Sequence, residues 1–321
     1  MRRNNPLELI SFNFTFIAIS CLVFLIAWGY SLYSSNHLMI LNGNECSLFF
    51  EKIYMLFTSN YIIQAIWGLV VSFVIGISSF LLDDQFSLSP KQTYTPLFFC
   101  LLFIAATKKF LFISPGSIAF IFFLISIIIL FRTYKAYDST SVFNLFFILS
   151  IGSLFYYDLL IYGILFLICL YNFQSLSFKT FLASLVGVSL PYLIVGLSFY
   201  IIGGEYLFID NIQRCLFNWQ TNIVFNIKNI VLISIITILL LLAFLSNLNL
   251  LNFEKIRKRK CIFFLMGIFI LSVILSTFHK ENIFISIFSL SLILNYSIQK
   301  SNYFNFIIFL IWIIIGIYMY F

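Results

Sequence analysis

Charged side chains are scarce in this sequence. They make up 9% of its 321 residues, whereas a soluble globular chain carries about 25%. The deficit runs the whole length, and the intervals between apolar runs reach only roughly 25 residues, too short for a core of their own. Histidine is scarcer still, with two in all, His37 and His279. No HExxH, CxxC or GxSxG pattern occurs, so a metalloenzyme or serine hydrolase of the soluble kind is not expected. The GxxxxGK[ST] and GxGxxG loops are missing too, which removes the usual nucleotide cradles. Basic residues interleaved with aromatics, the mark of a nucleic-acid surface, do not occur outside "KIRKRK", and that stretch abuts an apolar run.

What is there is apolar. Hydrophobic residues reach 62% and mean hydropathy is +1.09. In lipid every backbone polar group needs a partner within the protein, which leaves helices or closed barrels. Barrel strands alternate polar and apolar residues; these runs do not. We therefore expect an all-α polytopic transmembrane helical bundle, a single integral membrane domain over 1–321. The run from Ile10 to Tyr30 is longer than a signal-peptide core and has no small-residue cleavage site, so it reads as an uncleaved first helix. The net charge of +7 fits the anchor charge of cytoplasmic loops, and no nucleic-acid partner is expected.

A crossing takes about 20 residues. Residues 11–33, 61–82, 180–202 and 229–247 suit that length, and shorter runs follow near 262–277, 282–297 and 303–321. Two regions read as one crossing or two. The first, 96–131, carries Lys108, Lys109 and the turn residues Pro115 and Gly116. The second, 142–173, has one charge, Asp158, near its centre; the full apolar stretch would be roughly 46 Å long as one helix, beyond the hydrocarbon core even when tilted. Charge bias bears on both. With both regions split, twelve lysines and arginines share the side of the N-terminus and six face the other. Leaving only the second unsplit turns "EKIRKRK" outward, which is disfavoured. Leaving both unsplit restores the parity but puts Lys108 and Lys109 near mid-bilayer at about 2.5–3.5 kcal/mol each. We expect about eleven crossings, including two short-helix hairpins at 96–131 and 142–173, in a bacterial inner membrane with the N-terminus cytoplasmic and the C-terminus periplasmic. Small-residue ridges at Gly68–Ser72–Gly76 and Ala183–Gly187 suit close helix packing.

This topology collects polar residues on the outer side. Glu45, Glu51 and Asp158 are the candidate catalytic acids, since a carboxylate serves as a general base. Glu205, Asp210, Arg214, Trp219, His279 and Lys280 are candidates for substrate binding, the cations because they neutralise phosphate. "LFFEKIYMLF" (Leu48 to Phe57) has the character of an interfacial helix, and the aromatic loop 203–228 that of a segment held at the membrane surface. Cys46 and Cys215 fall in these two loops and can pair on an oxidising side. Cys21, Cys100, Cys169 and Cys261 read as packing residues. Asp83 and Asp84 read as a solvated cytoplasmic loop. No metal site is assigned, and the residues name no cofactor.

From about Phe80 to Tyr200 the stretches "SLSPKQTYTPLFFCLLF" and "IIILFRTYKAYDSTSVFNLFFILSIGSLFYYDLLIYGILFLICLYNFQSLSFKTFLASLVGVSLPYLIVG" resemble a family of multi-pass bacterial inner-membrane proteins that has no established activity. The shared pattern is a basic polar turn, a short hairpin, and a Lys-bearing turn into a long helix ending near Pro191. More loosely, the hairpins are similar to polytopic glycosyltransferases that use lipid-phosphate-linked sugars. That likeness implies an acidic first outer loop, where Glu45 and Glu51 stand, although no DxD or adjacent acidic pair lies there. Three function classes follow as expectations. The first is a non-catalytic membrane partner or scaffold in cell-envelope biogenesis. The second is a glycosyltransferase-like enzyme, and the third a lipid or solute transporter. Membrane lipids and a membrane-protein partner are the expected associates.

Overall fold

The computed structural model describes residues 61–89, 93–106, 114–203, 254–276 and 278–300, with positions 18, 21–26, 28, 29 and 213. Among them run α1 Tyr61–Phe86, α2 Thr95–Ala106, α3 Pro115–Arg132, α4 Ser139–Phe155, α5 Leu159–Asn172, α6 Phe178–Ile202, α7 Ile256–Ser276 and α8 Ile283–Lys300. A single 3-10 turn, Lys280–Asn282, joins α7 to α8, and no strand occurs among the described residues. Ile63–Phe86, Pro115–Arg132, Phe178–Ile201 and Ile256–Ser276 are each long and apolar enough to cross a membrane. The chain is an all-helical membrane protein. Residues 21–26 are helical as well, and Phe24 meets Phe73 of α1 edge-on at 5.3 Å between ring centroids.

Local sequence sets the helix ends. Ser114 accepts from the Ser117 N–H while the Ser117 side chain reaches back, and Pro115 opens α3, where its missing N–H is harmless. Ser177 and Thr180 make the same reciprocal cap on α6. Asp138 caps α4 by accepting from the N–H groups of Thr140 and Ser141. α4 stops at Phe155 and α5 starts at Leu159, so the 142–173 stretch is a hairpin turned at Tyr156–Asp158. Its arms have 17 and 14 residues. Those lengths correspond to about 25 and 21 Å, short of a core about 30 Å thick. In the 96–131 region α2 and α3 are separate helices; α2 packs mainly on α1 and α8, and α3 on α4. Lys108 and Lys109, the runs 229–247 and 303–321, and most of 11–33 lie outside the described residues.

Two boundaries differ from the sequence reading. α1 runs on through Asp83 and Asp84 to Phe86, and Asp83 is buried at 3% exposure. The solvated loop expected there is corrected: Asp83 is enclosed because other segments supply its donors. α7 begins at Ile256, so most of "EKIRKRK" is its first turn and not a loop. The Arg257 guanidinium lies 5.8 Å from the Phe86 ring and 5.7 Å from the Tyr134 ring, which lets a cationic turn stay helical beside apolar surface.

The bundle has two chemically distinct ends. Arg257 donates to the Phe131 carbonyl at 3.1 Å, Lys260 to the Asn172 carbonyl, and the Lys135 N–H to the Phe173 carbonyl at 3.2 Å. These bonds hold the ends of α3 and α5 and the start of α7 together as a basic end. The opposite end holds the α4–α5 tip, the α7–α8 turn and the start of α3, joined by bonds described below.

Both small-residue ridges serve packing inside the chain. A Cβ on Gly76 would lie 3.3 Å from Leu101 of α2. One on Gly187 would lie 2.8 Å from the Phe143 carbonyl oxygen and 3.2 Å from the Phe147 nitrogen, both backbone atoms of α4. Ser150 of α4 donates to the Val188 carbonyl at 2.8 Å, and Ser153 pairs with the Tyr192 hydroxyl at 2.8 Å. Pro191 stands inside α6 and removes one donor from that turn.

Gly187→Leu is expected to lower stability by about 1–3 kcal/mol, because backbone cannot yield as a side chain can; denaturant unfolding in detergent micelles measures it. A second expectation concerns pH. The Ser141 and Thr140 hydroxyls and N–H groups hold the Asp138 carboxyl down at about 2 from an ordinary 3.8. A depressed acid contributes above its ordinary value and loses that contribution as pH falls toward 2. Wild type should therefore exceed Asp138→Ala in stability by a constant margin above about pH 5, a margin that shrinks as pH falls through 3.8 and about 2.

Candidate functional site

Asp158 stands at the N-terminus of α5 but does not cap it. Its side chain, 5% exposed, turns to the α7–α8 turn and pairs with His279 Nδ1 at 2.9 Å. Tyr156 donates its hydroxyl to Asp158 Oδ2 at 2.8 Å, and the Asn282 amide donates to the same oxygen at 2.6 Å. Asn282 also donates to the Tyr156 hydroxyl at 2.8 Å, while Tyr162 donates to Asn282 Oδ1 at 3.1 Å. Burial first, and then the Asp158 carboxylate, hold the Tyr156 phenol well above its ordinary value. The carboxylate orients the imidazole, whose Nδ1 lies within hydrogen-bond distance of both its oxygens.

A second contact ties this turn to α3. Ser114 donates to Glu281 Oε2 at 2.6 Å. The carboxylate thus lies at the positive end of the α3 dipole, where a negative charge is favoured. Gly116 makes room for it: a Cβ there would lie 2.5 Å from Glu281 Oε2 and 2.7 Å from its Cβ.

The basic end has its own cluster. Asp83 accepts from Ser89 at 2.6 Å and from the Asn295 amide at 2.8 Å. Asn295 Oδ1 accepts from Thr93 at 2.8 Å and also from Thr95. One asparagine of α8 thereby joins the end of α1 to the start of α2. Nearby, Lys258 pairs with Glu254 at 3.6 Å and lies 5.3 Å from the Tyr296 ring.

Of the residues singled out from sequence, Asp158 and His279 come together, and Lys280, next in the chain, opens the 3-10 turn. Glu45, Glu51, Glu205, Asp210, Arg214 and Trp219 lie outside the described residues, as do Cys46 and Cys215. Cys100, Cys169 and Cys261 are buried free thiols and Cys21 is half-buried. Sequence reasoning missed Tyr156, Tyr162, Asn282, Asn295 and Ser114. The available signal was an asparagine inside an apolar run, since a buried amide requires partners. Among the described residues no three His, Cys, Asp or Glu side chains gather closely enough to hold a metal ion. No family model, curated protein or solved structure matches the chain.

Asp158→Ala leaves the Asn282 amide and Tyr156 hydroxyl without their shared acceptor. The expected loss is about 1–3 kcal/mol. Combined with His279→Ala, the loss should fall short of the sum of the two single effects, read by the same unfolding assay.

Proposed function

We propose that this is a multi-pass protein of the bacterial inner membrane with about eleven crossings, N-terminus cytoplasmic and C-terminus periplasmic. Its role is that of a non-catalytic membrane partner or scaffold in cell-envelope biogenesis. The orientation is supported by the gathering of Arg132, Lys135, Arg257 and Lys260 around one end of the bundle, as expected of a cytoplasmic face. The role is supported by the inward saturation of the buried acids. Asp158 and Asp83 are each engaged by the chain's own side chains, in clasps that join distant segments. With both small-residue ridges used internally, the outward face of α6, where Leu182, Leu193, Leu197 and Ile201 are exposed, offers a surface for a partner among the described residues, beside the exposed face of α1 at Ile66, Val70 and Leu81.

A second reading, a glycosyltransferase-like enzyme acting on a lipid-phosphate-linked sugar, is favoured by one observation: the Asp158–His279 pair, with the His279 side chain 25% exposed. One experiment separates the two. The tagged full chain is purified in mild detergent from cells carrying wild type, Leu193→Arg or His279→Gln, and lipid-linked sugars are assayed in the same cells. The scaffold role predicts a stoichiometric membrane partner that is lost with Leu193→Arg and kept with His279→Gln, with lipid-linked sugars unchanged. A partner-free monomer overturns it. Accumulation of a lipid-linked sugar in the His279→Gln strain establishes the enzyme instead.

A further inference from the structure

A groove runs between α5 and α7 on the outside of the bundle. Leu165 and Ile168 of α5 and Phe263 and Gly267 of α7 line a cavity of about 410 Å³, with Asn172 and Lys260 at its basic end. Ile168 and Phe263 are exposed, at 51% and 44%, so the groove opens to the surroundings of the helices. Gly267 keeps it open: a Cβ there would touch only Leu165, at 3.8 Å.

Cationic charge is concentrated at the basic end, beside the acids Asp83 and Glu254. Four cations in succession, Arg257, Lys258, Arg259 and Lys260, occupy the first turn of α7, which contains no acid. They add to the positive end of that helix's dipole. Glu254 neutralises Lys258. Lys260 is anchored at the groove by its bond to the Asn172 carbonyl. An ammonium has three donors, and that bond uses one.

We propose that this groove binds an anionic phospholipid, with an acyl chain along Ile168, Phe263 and Gly267 and the phosphate on Lys260. In a bilayer any apolar groove is filled by an acyl chain, so selectivity rests on the cation at headgroup depth. Basic pockets between transmembrane helices recognise anionic headgroups in this way. The lipid-facing groove and its cation are independent of whether the protein acts as scaffold or enzyme.

The test is native mass spectrometry of the full chain after exchange into mixed micelles. The micelles contain phosphatidylglycerol and phosphatidylcholine of matched chains. Wild type should retain phosphatidylglycerol over phosphatidylcholine by about fivefold, the effect of one cation at the surface. Lys260→Gln should abolish the preference, and Lys258→Gln, whose lysine is already paired, should keep it. Gly267→Leu, which fills the groove, should reduce retention of both lipids. Equal retention of the two lipids by wild type overturns the proposal, as does an unchanged preference in Lys260→Gln. If Gly267→Leu fails to fold, Lys260→Gln at the polar rim decides the matter alone.

Discussion

A carboxylate enclosed by helices must be met by donors, and its own helix cannot supply them. That constraint organises this bundle. Asp158 and Asp83 lie near opposite ends, and each combines one nearby donor, Tyr156 or Ser89, with donors from a segment far away in the chain. For Asp158 the distant partners come from the α7–α8 turn, more than a hundred residues later. For Asp83 the amide belongs to Asn295, 212 positions on. Removing such a donor costs more than the net worth of the bond, because a buried charge is left behind. The acids therefore specify which helix ends meet, while the apolar faces between them supply bulk attraction without direction.

Between these clasps the helices touch at a few close approaches. Gly187 lets α6 come down on the backbone of α4, and Gly76 admits Leu101 of α2. Aromatic rings fill much of the remaining interior. Phe123 meets both Tyr162 and Phe166 edge-on, and Phe264 meets Phe131 and Phe166 in the same manner. Edge-to-face contacts of this kind are favoured by the ring quadrupole. The abundant phenylalanine of the sequence thus has a packing role in the centre of the bundle.

Much of the architecture was legible in the sequence, and the reasons are physical. The hairpin turned at Asp158 followed from the length of one apolar run and the sign of the loops around it. The end of α1 was not legible, because a helix that looks bound to end at two adjacent acids continues when a later serine and asparagine meet one of them. The start of α7 was missed for a related reason: four successive cations read as a loop, yet the Arg257 guanidinium lies against Phe86 and Tyr134. Periodicity reports a segment's own preference and is silent about partners from elsewhere. The same holds for the site. Asp158 and His279 were separately conspicuous, but their meeting and the role of Asn282 depend on how two hairpin tips are brought together.

The Pro191 turn of α6 bears on how the protein is made. Pro191 has no N–H to give the Gly187 carbonyl four residues before it, and Ser150 of α4 donates its hydroxyl to the neighbouring Val188 carbonyl. A helix with such a turn is poorly suited to entering lipid alone, where a backbone acceptor without a donor is costly. The α4–α5 hairpin is synthesised first, so its serine is already in place when α6 leaves the ribosome. The earlier hairpin thus offers the later helix a polar receiving surface, in the Ser150 and Ser153 hydroxyls that meet Val188 and Tyr192.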